Sequence, residues 1–231
     1  MQDSEFSLFH HTALPKSANN PNSVDNQRPP LLILLHGYGA NEDDLFSLAP
    51  FVDERFFIVC VRAPIRIGMG SYAWFRLGFT PEGILIDPAE VEAARQSLRQ
   101  FVDEIIAAYH VDPKAVFLLG FSQGAMMSLD LTLREPSLIA GTVALSGRIM
   151  PSSSERFAPP DELTGLPLFI AHGTSDAVLP VGHGRASRDQ LQDLPVSLTY
   201  REYEMGHEIC EPELRDFTEW LTLQLSQFTI H

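Results

Sequence analysis

Cysteine is scarce: Cys60 and Cys210 are the only thiols in 231 residues, with no C-x-x-C pair and none of the density of a disulfide scaffold. Both read as reduced side chains. Cations are few as well, 16 Lys and Arg against 30 Asp and Glu for a formal net charge of −14, and no basic run supplies a local exception. A surface of that sign repels phosphate backbones and anionic lipids, which excludes nucleic acid as a partner. No apolar stretch approaches the ~20 residues that span a bilayer, so stable membrane insertion is not expected. Asp3 and Glu5 stand where a secretory signal would carry positive charge before an apolar segment, and the expectation is a cytoplasmic protein. Internal repeats, coiled-coil heptads, an H-E-x-x-H motif and any other dense His/Asp cluster are all missing. Neither a metal nor a cofactor is expected.

What remains is a chain with 45% hydrophobic residues, enough to bury one sizeable core, and the expected organisation is one domain over residues 1–231. Phe6, Leu8 and His10 alternate as an edge strand would. Residues 15–30, rich in Asn, Ser and Pro, read as a flexible loop. The apolar runs 31–35 and 56–61 are too short for helices and are closed by His36-Gly37-Tyr38-Gly39 and by Ala63-Pro64, which makes them strands buried on both faces. Residues 65–88 show no clear period, are rich in Gly and aromatics, and are expected to form a structured, lid-like loop. Val91, Ala94, Leu98, Phe101 and Ile105 recur at helical spacing, and strand character returns at 116–120. A helix over 123–134, strands over 141–145 and 166–171, a helix near 181–194, a strand over 196–203 and a helix from 211 to about 228 follow. This alternation predicts an α/β protein with a mostly parallel central sheet and helices on both faces.

Gly120-Phe121-Ser122-Gln123-Gly124 fits the G-x-S-x-G nucleophile elbow, where a serine occupies a strained strand-to-helix turn and Gly120 and Gly124 provide clearance. Three fixed positions would match by chance in roughly one chain in ten of this length, but here the match ends an apolar strand and opens a helical segment. The bland alternative is a tight βα turn with an incidental serine. A serine hydroxyl needs a base to take its proton and a carboxylate to hold that base. Asp176 follows the strand ending at Ala171, whereas Asp189 and Asp193 fall inside a helical segment and Asp161 precedes the strand. His207 follows the strand ending near Tyr203, with Gly206 allowing a sharp turn. His183 and His231 are expected to face solvent, and His36 and His172 to organise loops. The glycine-rich turn of His36, Gly37 and Gly39 places backbone N–H groups where an oxyanion would form, with the amides of Tyr38 and Gln123 as the expected donors. Read without Ser122, it would be only a turn.

Together, HGYG at 36–39, AWF at 73–75, GFSQG at 120–124, GTSD at 173–176 and GH at 206–207 resemble the phospholipase/carboxylesterase family, which includes acyl-protein thioesterases. The likeness runs from about residue 30 to about residue 225. It implies an α/β-hydrolase fold with no large cap domain, no metal, a hydrophobic acyl groove, and the catalytic roles already given to Ser122, Asp176 and His207. The family's aromatic pair matches Trp74 and Phe75, so these two, with Met69 on the same loop, are expected to bind the acyl chain, although both aromatics could be plain core. The family often has Leu at Tyr38, Asp at Ala40 and Asp at Arg76.

The activity expected first is that of a carboxylesterase on short- to medium-chain acyl esters, working through an acyl-enzyme on Ser122 and losing rate in acid as His207 protonates. A lysophospholipase or acyl-protein thioesterase is the alternative within the enzyme class, and a non-catalytic binding protein is the alternative outside it. The expected partner is a small acyl ester or lipid-like molecule, with homodimerisation left open.

Overall fold

The structure, a computed structural model, describes residues 6–15, 28–80, 83–151 and 156–228. Residues 16–27, the bulk of the expected flexible loop, lie outside that set, as does His231. Eleven strands and four α-helices follow one another among the described residues: β1 (His10–Ala13), β2 (Leu31–Leu35), β3 (Phe57–Val61), β4 (Ile65–Gly68), β5 (Ser71–Ala73), β6 (Leu77–Thr80), β7 (Gly83–Ile86), α1 (Pro88–Tyr109), β8 (Val116–Phe121), α2 (Gln123–Arg134), β9 (Gly141–Leu145), β10 (Pro167–Gly173), α3 (Gly182–Gln192), β11 (Ser197–Tyr203) and α4 (Glu211–Phe228). Short 3-10 helices cover Leu45–Phe51 and Pro136–Leu138.

Seven strands form the main sheet in the order β1-β3-β2-β8-β9-β10-β11. All neighbours run parallel except β1, which pairs antiparallel with β3 at one edge. Every residue of β2, β3 and β9 is buried, as continuous apolar runs covered on both faces should be. Alternation within β2 divides the core: Leu31, Ile33 and Leu35 pack with Leu98, Phe101 and Ile105 of α1, while Leu32 and Leu34 pack with Phe217 and Leu221 of α4. Each fully buried Leu or Phe of this kind contributes about 1.5–3 kcal/mol relative to exposure. On its far side α2 sends Ala125, Leu129 and Leu133 against β10 residues Leu168 and Ile170 and against Leu191 of α3.

Helix α1 begins where Asp87 accepts a hydrogen bond from the Ala89 amide at 2.8 Å, with Pro88 in the first turn, and ends at His110 in left-handed conformation, φ 53°. No helix among the described residues is long and apolar enough to cross a membrane.

Residues 65–88 differ from the loop expected. Their described residues form two antiparallel strand pairs, β4 with β5 and β6 with β7, each paired within itself and not with the main sheet. β4 does alternate half-buried and exposed residues, but over only four positions and with a bulge between Arg66 and Gly68, too short a signal to read as a period.

The strand order sets where a ligand can sit. From β2 the chain moves outward to β3, and β8 then pairs on the other flank of β2, so the connections leaving β2 and β8 diverge and open a crevice at their carboxyl ends. Ser122 follows β8 and His36 follows β2.

Candidate active site

Ser122 occupies the turn between β8 and α2 with φ 54° and ψ −115°, a strained backbone for a residue with a side chain. Its amide donates to the Leu145 carbonyl at 2.9 Å, fixing the turn to β9. The flanking glycines are obligatory on packing grounds. A Cβ at Gly120 would lie 2.3 Å from the Gly124 carbonyl oxygen, and one at Gly124 would lie 2.0 Å from that of Leu35. Gly37 brings the β2 loop alongside, since a Cβ there would be 3.3 Å from the Ser122 Cβ. The Tyr38 amide has no protein acceptor among the described residues, and Gln123, as the first residue of α2, keeps an amide that no helical carbonyl can satisfy.

His207 arrives from the loop after β11 and stands between the other two predicted residues. Its Nε2 is 2.9 Å from Ser122 Oγ and its Nδ1 is 2.7 Å from Asp176 Oδ2. The carboxylate can only accept, so Nδ1 carries the proton and Nε2 presents a lone pair to the serine hydroxyl. The second carboxylate oxygen accepts from the Val178 and Leu179 amides, each at 2.8 Å. Burial of Asp176 raises its pKa, but the hydrogen bond from His207 and those amides outweigh it, and the carboxyl is held below its ordinary value. The loops carrying Asp176 and His207 are joined directly: the Thr174 amide donates to the Tyr203 carbonyl at 2.8 Å and the Ser175 amide to the Met205 carbonyl at 3.0 Å. Gly173 allows that approach, because a Cβ there would meet the Gly206 carbonyl oxygen at 2.3 Å. The Phe121 ring lies against the imidazole, centroids 4.9 Å apart.

His36 and His172 are both buried and bonded to backbone. His36 donates from Nδ1 to the Gly37 carbonyl at 2.7 Å and accepts the Ala63 amide on Nε2 at 3.0 Å, which defines a neutral tautomer. Burial pushes its pKa down. His172 donates from Nε2 to the Leu179 carbonyl at 2.7 Å and so braces the turn that holds Asp176. His183, expected in solvent, is half-buried at the start of α3.

The substrate-binding expectations need correction. Trp74 and Phe75 have 0% exposure and belong to the core beneath the site, so neither side chain offers surface to a ligand. Met69 lies at the opposite extreme, 94% exposed at the β4–β5 turn. The reason is a clamp that the sequence did not signal. The Gln123 side chain accepts the Trp74 amide at 2.8 Å and donates to the Phe75 carbonyl at 2.7 Å, while Trp74 Nε1 donates to the His36 carbonyl at 3.1 Å. A pairing over 48 and 49 residues leaves no local pattern to find. The open cleft next to His207 lies elsewhere, a volume of about 460 Å³ lined by Leu45, Leu48, Phe121, Ile209, Cys210 and Leu214 with Asp44, Glu208 and Glu211 also on its walls.

Among the described residues, His11, Glu42 and Asp43 bring three potential metal-ligand atoms within 4.8 Å of one another. Arg62 already engages Glu42 through two hydrogen bonds, and His11 Nδ1 lies 2.9 Å from Asp43 Oδ1, so each of the three side chains already has a protein partner.

A doubly wound parallel sheet with a serine on the β8–α2 elbow, and an acid and a histidine on the loops after β10 and β11, defines an α/β-hydrolase. The chain belongs to the phospholipase/carboxylesterase family, which it matches over residues 21–225. It is therefore a hydrolase of the carboxylesterase and thioesterase type. Carboxylesterase SOBER1 of Arabidopsis thaliana is 28% identical over 191 residues, covering 80% of this chain and 78% of that one. Acyl-protein thioesterase 1 of Gibberella zeae is 26% identical over 218 residues, covering 87% and 92%. Among solved structures, esterase PE8 superposes with a TM-score of 0.79 at 28% identity, covering 93% of this chain and 98% of that one.

Proposed function

We propose that the chain is a serine carboxylesterase acting on short- to medium-chain acyl esters through an acyl-enzyme on Ser122, all within one hydrolase domain. The observation that carries this reading is a single imidazole bonded on both sides, 2.9 Å from the hydroxyl oxygen of Ser122 and 2.7 Å from the carboxylate of Asp176. His207 takes the proton as Ser122 Oγ bonds to the ester carbonyl carbon, and Asp176 stabilises the imidazolium that results. The amides of Tyr38 and Gln123 donate to the oxyanion. Collapse of the tetrahedral intermediate breaks the bond to the alcohol, which leaves with the proton from His207. A water molecule then repeats the sequence on the acyl-enzyme and releases the acid.

A cleft of about 460 Å³, whose walls combine apolar side chains with Asp44, Glu208 and Glu211, suits a substrate of modest size. A thioester carbonyl would yield to the same attack, and the Gibberella zeae relative is named for that substrate class.

The test is hydrolysis of 4-nitrophenyl esters from acetate to laurate and of the matching acyl thioesters, by wild-type protein and by Ser122→Ala. The expected result is an optimum among the shorter esters and loss of turnover in the variant. Wild-type rates from Ser122→Ala, or an optimum at laurate, would overturn the reading.

A further inference from the structure

The chain leaving β9 runs beside the elbow. Phe121 of β8 pairs with Leu145 of β9, so Ser122 and Ser146 emerge at the same edge of the sheet. Ser146 is strained, with φ 50°, and Gly147 is pressed onto the start of α2, where an added Cβ would lie 3.2 Å from the Ser122 carbonyl oxygen and 2.5 Å from the Ala125 Cβ. On the far side, the Ile149 amide donates to Ser187 Oγ of α3 at 2.9 Å. Arg148 is thus held between the nucleophile turn and α3.

This arginine is half-buried, its Nε is buried with no hydrogen-bond partner, and it forms no ion pair among the described residues. Arg95 and Arg134, whose side chains are 12% and 14% exposed, both pair with Glu92. A partly desolvated cation without a counter-charge is costly, and in a chain with 30 carboxylates it is a place left for one brought from outside. Its titratable neighbour His183 has a pKa pushed down by burial and then by the Arg148 charge, so it adds neither a second cation nor a counter-charge there.

Orientation follows from the chemistry. His207 must return its proton to the leaving oxygen, so the alcohol half of an ester lies toward His207 and the cleft it shares with Ile209 and Leu214 of the α4 face. The acyl half then extends the other way, across the elbow toward α2 and α3.

We propose that Arg148 is a specificity determinant that binds a carboxylate at the far end of the acyl chain, making hemiesters of short dicarboxylic acids a preferred substrate class. This rests on Ser122 being the nucleophile. The test compares monoethyl glutarate with its neutral isostere, the ethyl ester of glutaramic acid. In wild type the ratio of kcat/KM, acid over amide, is expected to be about 10 or more, as one charge-assisted hydrogen bond gives. Arg148→Met should bring that ratio to about 1, and Arg148→Lys should retain part of it. Calorimetric binding of the two esters to Ser122→Ala protein, with and without Arg148→Met, reads the same preference without turnover. Equal use of the two esters by wild type, or an unchanged preference in Arg148→Met by rate or by binding, overturns the assignment. Preferential binding without any hydrolysis would sink the esterase reading and leave the anion site standing.

Discussion

Glu213 sits in the first turn of α4 with no exposed surface, and neither carboxylate oxygen has a hydrogen-bond partner among the described residues. Burial pushes its pKa up from 4.5 to about 8. The sign of the effect on stability is therefore set. Between 4.5 and about 8 the unfolded chain has released this proton and the folded chain still holds it, so stability falls as pH rises through that window. At about 1.4 kcal/mol for each pH unit, the native carboxyl weakens the fold by about 3 kcal/mol at pH 7 and by about 4 kcal/mol at pH 8. Glu213→Gln keeps the shape and removes the titration. Its amide remains a buried polar group without a partner, a cost that does not vary with pH. Urea unfolding of wild type and variant at pH 5 and pH 8 separates the two contributions. The stability difference between the proteins should move in favour of Gln by about 3 kcal/mol from the lower pH to the higher. Because all other titrating groups are common to both chains, a difference that stays the same at the two pH values would refute the account of Glu213 as a neutral buried acid.

Asp176→Asn retains the side-chain shape but removes the charge that stabilises the imidazolium, and kcat on a 4-nitrophenyl ester is expected to fall by roughly 10³–10⁴. The lowered pKa of Asp176 means that its contribution to stability is present above the ordinary carboxylate range and is lost as pH falls through the lowered value, so acid unfolding of the Asn variant should lack that component. Gln123→Ala leaves the Trp74 amide and the Phe75 carbonyl buried without partners and should cost about 2 kcal/mol or more in urea unfolding, with faster hydrogen exchange at the Trp74 amide. Burial raises the Cys60 thiol to about 12, so mass spectrometry after iodoacetamide treatment of native protein at pH 8 should find Cys60 unmodified.

Most of the sheet could be read from the chain because its strands are short, continuous apolar runs. Leu31–Leu35 and Gly141–Leu145 have the bounds their hydrophobicity suggests, and the helical spacing from Val91 to Ile105 marks the buried stripe of α1. Where the strands are only three or four residues long, as in 65–88, the pattern is too brief to distinguish a hairpin from a loop. Trp74 and Phe75 illustrate the consequence. Their apolar character is equally compatible with a ligand wall and with a core, and it is the Gln123 amide, distant in sequence, that draws them inward.

What the sequence determined by itself was residue type and order: glycines on both sides of Ser122, an acid after one strand, a histidine after the next. Local chemistry dictates those choices, since only glycine tolerates a carbonyl oxygen 2.0–2.3 Å from where a Cβ would stand. Only the tertiary structure decided distance and exposure. The 2.9 Å between Ser122 and His207, the inward turn of Trp74, the cleft under Leu45 and Leu48, and the cation at Arg148, unpaired among the described residues, all depend on which loops the strand order brings to one edge, and no stretch of neighbouring residues encodes that meeting.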